Sequence, residues 1–394
     1  MLALLAAAAL LFERGPVVSD VTKDGAEIRW EPASAGALLL VDTGGSVAVE
    51  IAPVTAPDGT QRARITGLAS DTRHHYRIRT PAGESEPGAF RTFPASASSP
   101  ISFIATGDTR SNHIAHAKTV ARVLSEAPDF IVSTGDLVGD GRDRGDWDFF
   151  FQAEGELLRS TPFFPAVGNH DAMGLLNETL INRWFGRGRY YQVDAGPAIL
   201  LFIDTTLAYG GGSVQNAWIT EHLEAARAAK AAGRASWIIA VHHHPAFSSA
   251  HHGSEIAVQR ELVPLYEAAG VDLVLNGHDH VYERLEKNGI TYIVTGGGGA
   301  PLYDFGKILP ESKVHVRAHH FLKIAADTKT LEIAAVDLDG NLLDRHRLDG
   351  PQQRPVPTEP LVETRGRTIA ATLATLAGAA VVAWIYSRRL AASP

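Results

Sequence analysis

Residues 101–108 read ISFIATGD and residues 130–136 read FIVSTGD. In each segment an apolar run ends in Gly-Asp. Further apolar runs follow at residues 163–167, 199–203, 237–241, 273–275 and 292–294. Between several of them lie amphipathic stretches, at residues 113–126, 217–232 and 255–269. Apolar strands that alternate with helices predict an α/β domain with a sheet covered on both faces.

Polar side chains follow five of these runs, directly after the point where each run ends. They are Asp108, Asp136, the block Asn169-His170-Asp171, the three histidines at 242–244, and His278 with His280. Ligands of an open α/β sheet gather at the carboxyl ends of its strands, so these side chains are expected to meet at one edge. Glycine comes before the key residue in four of the five blocks, where a small residue lets the backbone turn sharply.

The chemistry of this set points to metal ions. Two aspartates, one asparagine and three histidines supply hard oxygen and imidazole donors, which suit Zn, Fe, Mn or Co rather than Ca or Mg. The chain has no cysteine, so thiolate ligands are excluded. Two carboxylates do not neutralise two dications, and the residual positive charge would lower the pKa of a bound water and attract a phosphate.

These residues resemble the motifs of the calcineurin-like metallophosphoesterases and, among them, the purple acid phosphatases. The order Gly-Asp, Gly-Asp, Gly-Asn-His-Asp, His-x-Pro, Gly-His-x-His is matched across residues 101–300, and GHDHVYER at residues 277–284 is especially similar. The resemblance implies a metallophosphoesterase-type β-sheet sandwich flanked by helices. It also implies hydrolysis of phosphate esters by a hydroxide that bridges two divalent or mixed-valence transition metal ions, with Fe, Zn or Mn as candidates.

The resemblance further implies which residues hold the metal ions. Asp136 would bridge both ions. The first subsite would be completed by Asp108 and His280, and the second by Asn169, His243 and His278. His243 is chosen over its neighbours because Pro245 sets the register of the family's His-x-Pro pattern.

The catalytic and substrate-side residues are carried over in the same way. His170 looks like the family's phosphate-contacting acid, and Asp171 like the carboxylate that orients it. His252 falls where purple acid phosphatases keep substrate-side histidines, and His251 fits almost as well.

Two positions depart from the family pattern. Arg110 stands where many members have histidine, and Gly139 stands where purple acid phosphatases have a tyrosine ligand. The first subsite is therefore one protein ligand short, to be filled by His113, His116 or water. Without the tyrosine no purple absorption is expected. Arg110 is expected to contact a phosphate oxygen or to brace Asp108.

The segment before residue 101 has a different sequence pattern. Residues 26–30 and 75–79 alternate between apolar and polar side chains, and residues 38–41 form a short apolar run. This predicts a small all-β sandwich over residues 16–94, which resembles a fibronectin type III domain whose Tyr76 hydroxyl lies against a turn. A linker at residues 95–100 leads to the phosphoesterase-like domain at residues 101–350, which a hairpin from residues 321–326 and 331–337 closes.

The two ends of the chain predict a membrane-anchored protein. Residues 1–15 are signal-like, with a Leu- and Ala-rich run before Glu13 and Arg14. Residues 368–386 carry no charge and would rise about 28 Å as a helix, near the thickness of the hydrocarbon core. A Pro-rich stalk at residues 351–367 precedes this transmembrane helix, and a basic tail at residues 387–394 follows it. The catalytic domain is expected on the extracytoplasmic side of the lipid bilayer.

The expected reaction is phosphate ester hydrolysis on a small phosphorylated substrate, preferably a monoester. The net charge of −8, from 36 basic and 44 acidic residues, argues against nucleic acid as a partner. Two alternatives stay open. One is a phosphodiesterase for small-molecule or nucleotide diesters. The other is a surface binding module with a vestigial metal site, which the missing ligand favours.

Overall fold

The structure, a computed structural model, describes residues 12–32, 38–42, 49–173 and 177–350, with side chains omitted at 177–180. Within those ranges no helix is long and apolar enough to cross a bilayer. Several predicted segments lie outside the described residues: the signal-like segment up to residue 11, the stalk, the transmembrane helix and the basic tail. The membrane anchor and the extracytoplasmic location therefore stay predictions.

Short antiparallel strands form the N-terminal part. They are β1 Phe12–Ser19, β2 Gly25–Pro32, β3 Leu38–Asp42, β4 Val49–Ile51, β5 Val54–Thr55, β6 Gln61–Thr66, β7 Arg73–Thr80, β8 Gly83–Glu84 and β9 Gly88–Arg91. One sheet has the order β1-β2-β6-β5, and the other has the order β4-β3-β7-β8 with β9 paired to β7.

The two N-terminal sheets share one core, as the alternating pattern predicted. In β7 every second side chain is buried, including Tyr76 and Ile78. These residues join Ile28 and Trp30 of the opposite sheet in one hydrophobic cluster. The all-β sandwich is thus present, and it begins at Phe12, inside the segment predicted to be signal-like. Its likeness to fibronectin type III stays a prediction.

Six helices and thirteen strands follow in the described part of the chain. The helices are α1 His113–Glu126, α2 Arg144–Ser160, α3 Asn177–Phe185, α4 Val214–Ala231, α5 Ile256–Glu261 and α6 Val263–Ala269. The strands are β10 Ile101–Thr106, β11 Phe130–Ser133, β12 Phe163–Pro165, β13 Tyr191–Ala195, β14 Ala198–Phe202, β15 Trp237–Val241, β16 Leu273–Asn276, β17 Tyr282–Lys287, β18 Ile290–Thr295, β19 Ser312–Val316, β20 His320–Ala326, β21 Thr330–Asp337 and β22 Leu342–Asp349.

These strands form two mixed sheets rather than one sheet covered on both faces. The first has the order β12-β11-β10-β20-β21-β22, in which β10, β11 and β12 run parallel. The second has the order β13-β14-β15-β16-β18-β17-β19, with parallel pairing from β14 through β16 to β18. The predicted hairpin is β20 and β21, and β22 extends it.

A continuous apolar core lies between the two sheets. Phe103, Val132 and Leu322 of the first sheet share it with Ile239 and Leu275 of the second. Each such side chain, once fully buried, contributes about 1.5–3 kcal/mol to folding. The other face of the first sheet is covered by helices, where Ile104 and Ile131 pack with Trp147 and Phe150 of α2. The mixed α/β sandwich flanked by helices is therefore confirmed.

The predicted helix at residues 255–269 is interrupted. Its first half is α5, and the second half, α6, starts anew at Val263 with proline in its first turn. Pro264 has no backbone N–H to continue the hydrogen-bond ladder of a single helix, but it is tolerated in the first turn of a new one.

The N-terminal sandwich is docked on the following domain through polar and aromatic contacts. The hydroxyl of Tyr76 donates to the backbone oxygen of Arg159 at 2.9 Å. The expectation that this hydroxyl lies against a turn of its own sandwich is therefore wrong, because its acceptor is supplied by the end of α2. Arg14 of β1 reaches Asp148 of the same helix, and Phe93 packs edge-on against Phe130.

Candidate metal centre

The strand-end residues predicted to bind metal do converge at one edge of the two sheets. Asp108 follows β10, Asp136 follows β11, and His243 follows β15. One ligand atom from each of these three side chains lies within 4.8 Å of the others. Since β10 and β11 belong to the first sheet and β15 to the second, the centre lies where both sheets end together.

Three of the predicted ligands adopt left-handed backbone conformations. The φ angles are +55° for Asp108, +54° for Asp136 and +72° for His278. Such angles are uncommon outside glycine and cost of the order of 1–3 kcal/mol each. Strain of this kind is retained where the surrounding structure holds a side chain in a functional direction.

Glycines that precede two of the predicted ligands, Asp136 and Asn169, permit close packing of the ligand loops. Gly135 has a φ of +99°, and a Cβ there would meet the backbone of Gly168. A Cβ on Gly168 would in turn meet the carboxylate of Asp136. The glycines thus allow the loops to approach one another.

The first predicted subsite contains a carboxylate oxygen that accepts no hydrogen bond from any described residue. This atom is Oδ1 of the fully buried Asp108, which lies 3.5 Å from Nε2 of His280. The other oxygen of Asp108 accepts the backbone N–H of His278 at 2.9 Å. A buried carboxylate oxygen without a donor is what a cation would satisfy.

The second predicted subsite brings an amide and two imidazoles together. Oδ1 of Asn169 lies 3.0 Å from Nε2 of His243, and the rings of His243 and His278 are 5.1 Å apart between centroids. Asp136 lies between the two subsites, with its Oδ1 3.4 Å from Nε2 of His243. The six predicted ligands are therefore neighbours.

Backbone carbonyls orient two of the imidazoles for metal binding. Nδ1 of His243 donates to the oxygen of Thr134 at 2.9 Å, and Nδ1 of His280 donates to the oxygen of Pro301 at 2.7 Å. Each bond leaves Nε2 with its lone pair directed at the carboxylates. Metal-binding histidines are commonly held in this way.

Burial favours the neutral form of His243 and His278. It lowers the pKa of His243 well below the ordinary value and the pKa of His278 to about 2, and nearby histidines act in the same direction. Neutral imidazole is the form that binds metal. Burial, with the nearby Asp136, also raises the pKa of Asp108 to about 6, although His280 and Arg110 act in the opposite direction. The donor set thus fits transition metal ions.

His170 lies beside the same bridging carboxylate. Its Nδ1 donates to the oxygen of Gly139 at 2.6 Å, and its Nε2 lies 3.9 Å from Oδ2 of Asp136. The side chain is about one quarter exposed. His170 therefore presents Nε2 to a site that a substrate can enter.

Comparisons with known proteins agree with this geometry. Residues 101–282 match the family model described as calcineurin-like phosphoesterase. The chain contains a calcineurin-like phosphoesterase domain. Like the family, it is a metal-dependent hydrolase of phosphoric esters, and the family centre holds two metal ions.

Individual relatives are purple acid phosphatases. Purple acid phosphatase 3 of Arabidopsis thaliana is 26% identical over 286 residues, which cover 64% of this chain and 78% of the relative. Tartrate-resistant acid phosphatase type 5 of Rattus norvegicus is 27% identical over 252 residues, covering 52% of this chain and 74% of the relative. The structure of purple acid phosphatase PPD1 from yellow lupin seeds superposes with a TM-score of 0.72 at 19% identity, covering 86% of this chain and 75% of that one.

Asp171 has a different role in the phosphoesterase domain from the one expected. Its buried carboxylate accepts backbone N–H bonds from Asp136, Leu137, Val138 and Gly168. The ring of His170 bonds to Gly139 instead, so the expectation that Asp171 orients His170 is wrong. Burial and the nearby Asp136 raise the pKa of Asp171 to about 8, against the N–H donors, which favour the ionised form.

We expect Asp171→Ala to lower the free energy of unfolding by at least about 3 kcal/mol, because it leaves several buried N–H groups without an acceptor. Urea denaturation measures this loss. Asp339→Ala, at an exposed aspartate, is the matched control and should change stability little. Equal stability of the two variants would contradict the role assigned to Asp171.

Arg110 lies in the centre, but not where a brace for Asp108 was expected. Its Nε donates to Oδ2 of Asp136 at 3.0 Å, and its Nη2 lies 3.4 Å from Nε2 of His280.

Neither histidine proposed as the missing metal ligand reaches the site. His116 is buried against Glu154, 2.7 Å away, and the exposed His113 packs on Phe149.

The loop with the substrate-side histidines is held by the middle of the GHDHVYER motif. Asp279 accepts the hydroxyl of Ser248 and the backbone N–H of His252. Glu283 binds both the hydroxyl and the backbone N–H of Ser249. The exposed ring of His252 then stacks on His278 at 4.2 Å, whereas His251 contacts His252 and Tyr303. His252 is thus the nearer of the two candidates to the metal ligands.

Sequence reasoning missed two residues at the rim. Tyr303 stacks on His280 with a centroid distance of 4.0 Å, and its hydroxyl is within hydrogen-bonding reach of Arg110. His244 binds Thr205 through Nδ1 at 2.8 Å and lies 4.6 Å from the ring of His278. Tyr303 lies eight residues beyond Thr295, the end of β18, so a rule for residues directly after a strand does not indicate it.

Proposed function

We propose that this centre hydrolyses phosphate monoesters. The proposal rests mainly on one observation: the guanidinium of Arg110 and the imidazole of His170 approach the same oxygen of Asp136, at 3.0 and 3.9 Å. The permanent cation of Arg110 and the imidazole of His170 thus both lie beside Oδ2 of Asp136. A monoester carries more negative charge than a diester, and therefore gains more from such a pair.

Two transition metal ions, with Fe, Zn or Mn as candidates, would be held by Asp108, Asp136 and His280 on one side and by Asn169, His243 and His278 on the other. When bound, they would supply Lewis acidity and lower the pKa of water. Gly139 stands in place of the tyrosine ligand of purple acid phosphatases, so we expect no purple phenolate-to-iron absorption.

The residues of the chain supply binding and proton transfer. Arg110 has N–H groups that can turn from Asp136 to a phosphate oxygen, and His252 offers an exposed imidazole on the same rim. Nδ1 of His170 donates to Gly139, which leaves Nε2 facing the centre, and in the imidazolium form the proton on Nε2 can pass to the leaving oxygen of the ester. Tyr303 and His252 form an aromatic wall, with centroids 5.3 Å apart, which limits the direction of substrate entry.

Hydrolysis of nitrophenyl phosphate and of bis(nitrophenyl) phosphate by the metal-loaded protein tests the proposal. We expect a kcat/KM at least about 100-fold higher for the monoester, since its second charge gains about 3 kcal/mol from the cationic site. A preference for the bis ester would support the phosphodiesterase alternative and overturn the proposal.

A further inference from the structure

We propose that the two metal subsites of this centre are unequal, because the guanidinium of Arg110 competes with a metal ion for the first one. This inference rests on the metal-dependent function proposed above and concerns how the centre is loaded. The second subsite would bind its ion tightly. The first would bind an ion only at a higher metal concentration, when Arg110 is displaced.

The contacts of Arg110 are with the atoms that the first subsite needs. Its Nε donates to Oδ2 of Asp136 at 3.0 Å, and its Nη2 lies 3.4 Å from Nε2 of His280. Nε2 is the ring nitrogen of His280 left free for metal, since Nδ1 donates to Pro301. The side chain of Arg110 is 13% exposed, so little water screens its charge.

Further contacts hold the guanidinium in this position. Nη1 of Arg110 donates to the hydroxyl of Ser111 at 3.3 Å, and the hydroxyl of Tyr303 is also within reach. Tyr303 is itself stacked on His280. An ion entering the first subsite must therefore separate an ion pair and move a side chain that has several partners.

Neither histidine considered for the missing first-subsite ligand reaches the first subsite. His116 is paired with Glu154, and His113 is exposed against Phe149. A side chain at position 139 would meet the carboxylate of Asp146. The first subsite thus has fewer protein donors than the family pattern, and the guanidinium of Arg110 already contacts two of those donors.

The second subsite has all of its predicted donors, and Arg110 does not contact Asn169, His243 or His278 in the hydrogen bonds described above. Asn169, His243 and His278 supply an amide oxygen and two imidazoles, with Oδ1 of Asn169 3.0 Å from Nε2 of His243. Asp136 serves the two sides with different oxygens. Oδ1 lies 3.4 Å from Nε2 of His243, whereas Oδ2 is the atom bound by Arg110. An ion in the second subsite can use Oδ1 while Arg110 stays in place.

Titration of metal-free protein with Mn²⁺, followed by calorimetry, tests this inference. We expect one ion per chain to bind tightly and a second to bind about 10- to 100-fold more weakly, the range by which partners of metal ligands alter affinity. Arg110→His removes the cation and adds an imidazole donor, so the two affinities should come within about tenfold of each other. Arg110→Met removes only the charge and should give an intermediate gap.

Arg260→His is the matched control, because Arg260 is exposed and pairs with its neighbour Glu261. It should leave both binding steps unchanged. Elemental analysis after gel filtration gives the same comparison without heat signals, with about one retained ion per chain in the native protein and about two in Arg110→His. Thermal melts with and without Mn²⁺ verify that each variant is folded. If Arg110→His does not fold, Arg110→Met takes its place in the comparison.

Two equal binding steps in the native protein would overturn the inference, as would an unchanged second step in both Arg110 variants. In either case hydrolysis by the two-metal protein would still support the proposed function. Absence of any bound Mn²⁺, with no metal-dependent hydrolysis, would instead refute the metal-dependent function and this inference together.

Discussion

Asp136→Asn is expected to lose bound metal and phosphate ester hydrolysis together. Asp136 is the carboxylate between the two subsites, 3.4 Å from Nε2 of His243 on one side and 3.0 Å from Arg110 on the other. The neutral amide removes the charge that both subsites share. Loss of several kcal/mol of transition-state stabilisation corresponds to at least about a thousandfold lower kcat/KM. Elemental analysis and the nitrophenyl phosphate assay measure the two effects.

Asp148→Asn is the matched control, on the helix that follows the same loop. Asp148 is exposed and binds Arg14 of the N-terminal sandwich rather than a residue of the centre. It should keep both metal and activity. Retention of both by Asp136→Asn would refute the bridging role, and a native protein with no metal after metal supplementation would favour the surface binding module.

His170→Ala is expected to keep its metal and lose turnover. The backbone N–H of His170, which donates to Asp136 at 2.9 Å, remains in the variant, so the ligand loop is held as before. Removal of a general acid lowers kcat by about 100- to 10,000-fold. The loss should be largest for an alkyl phosphate, whose leaving oxygen needs a proton. It should be smaller for nitrophenyl phosphate, whose leaving group is already stable as an anion.

The comparison of the two substrates separates an acid from a binding residue. If His170 only binds phosphate, both substrates lose the same factor and KM rises. Loss of metal in His170→Ala would contradict the assignment as well. His75→Ala, at an exposed histidine of β7, is the control and should behave as the native protein.

Much of the centre was predictable because each ligand directly follows an apolar strand. The runs before Asp108, Asp136 and His243 are β10, β11 and β15, and parallel strands bring their carboxyl ends to one edge. The apolar runs alone did not indicate the second sheet, which only the family resemblance implied, because an apolar run does not show which strands it pairs with. Pairing is decided by contacts distant in sequence.

The errors concern side chains whose partners come from other segments. Asp171 follows His170 in sequence, yet its carboxylate is directed at the backbone of Asp136 to Val138. Tyr76 bonds to α2 rather than to its own sandwich. Arg110 binds Asp136 instead of Asp108. In each case the nearest residue along the chain was not the nearest in space.

The sequence by itself determined the donor types, the strands they follow and the kind of reaction, since these depend on local pattern and on ligand chemistry. Only the tertiary structure decided how the donors are shared between subsites and which cation competes for them. A hydrogen bond or ion pair requires atoms within about 3–4 Å of each other. Side chains as far apart in sequence as Arg110 and His280 reach that distance only after both sheets have packed.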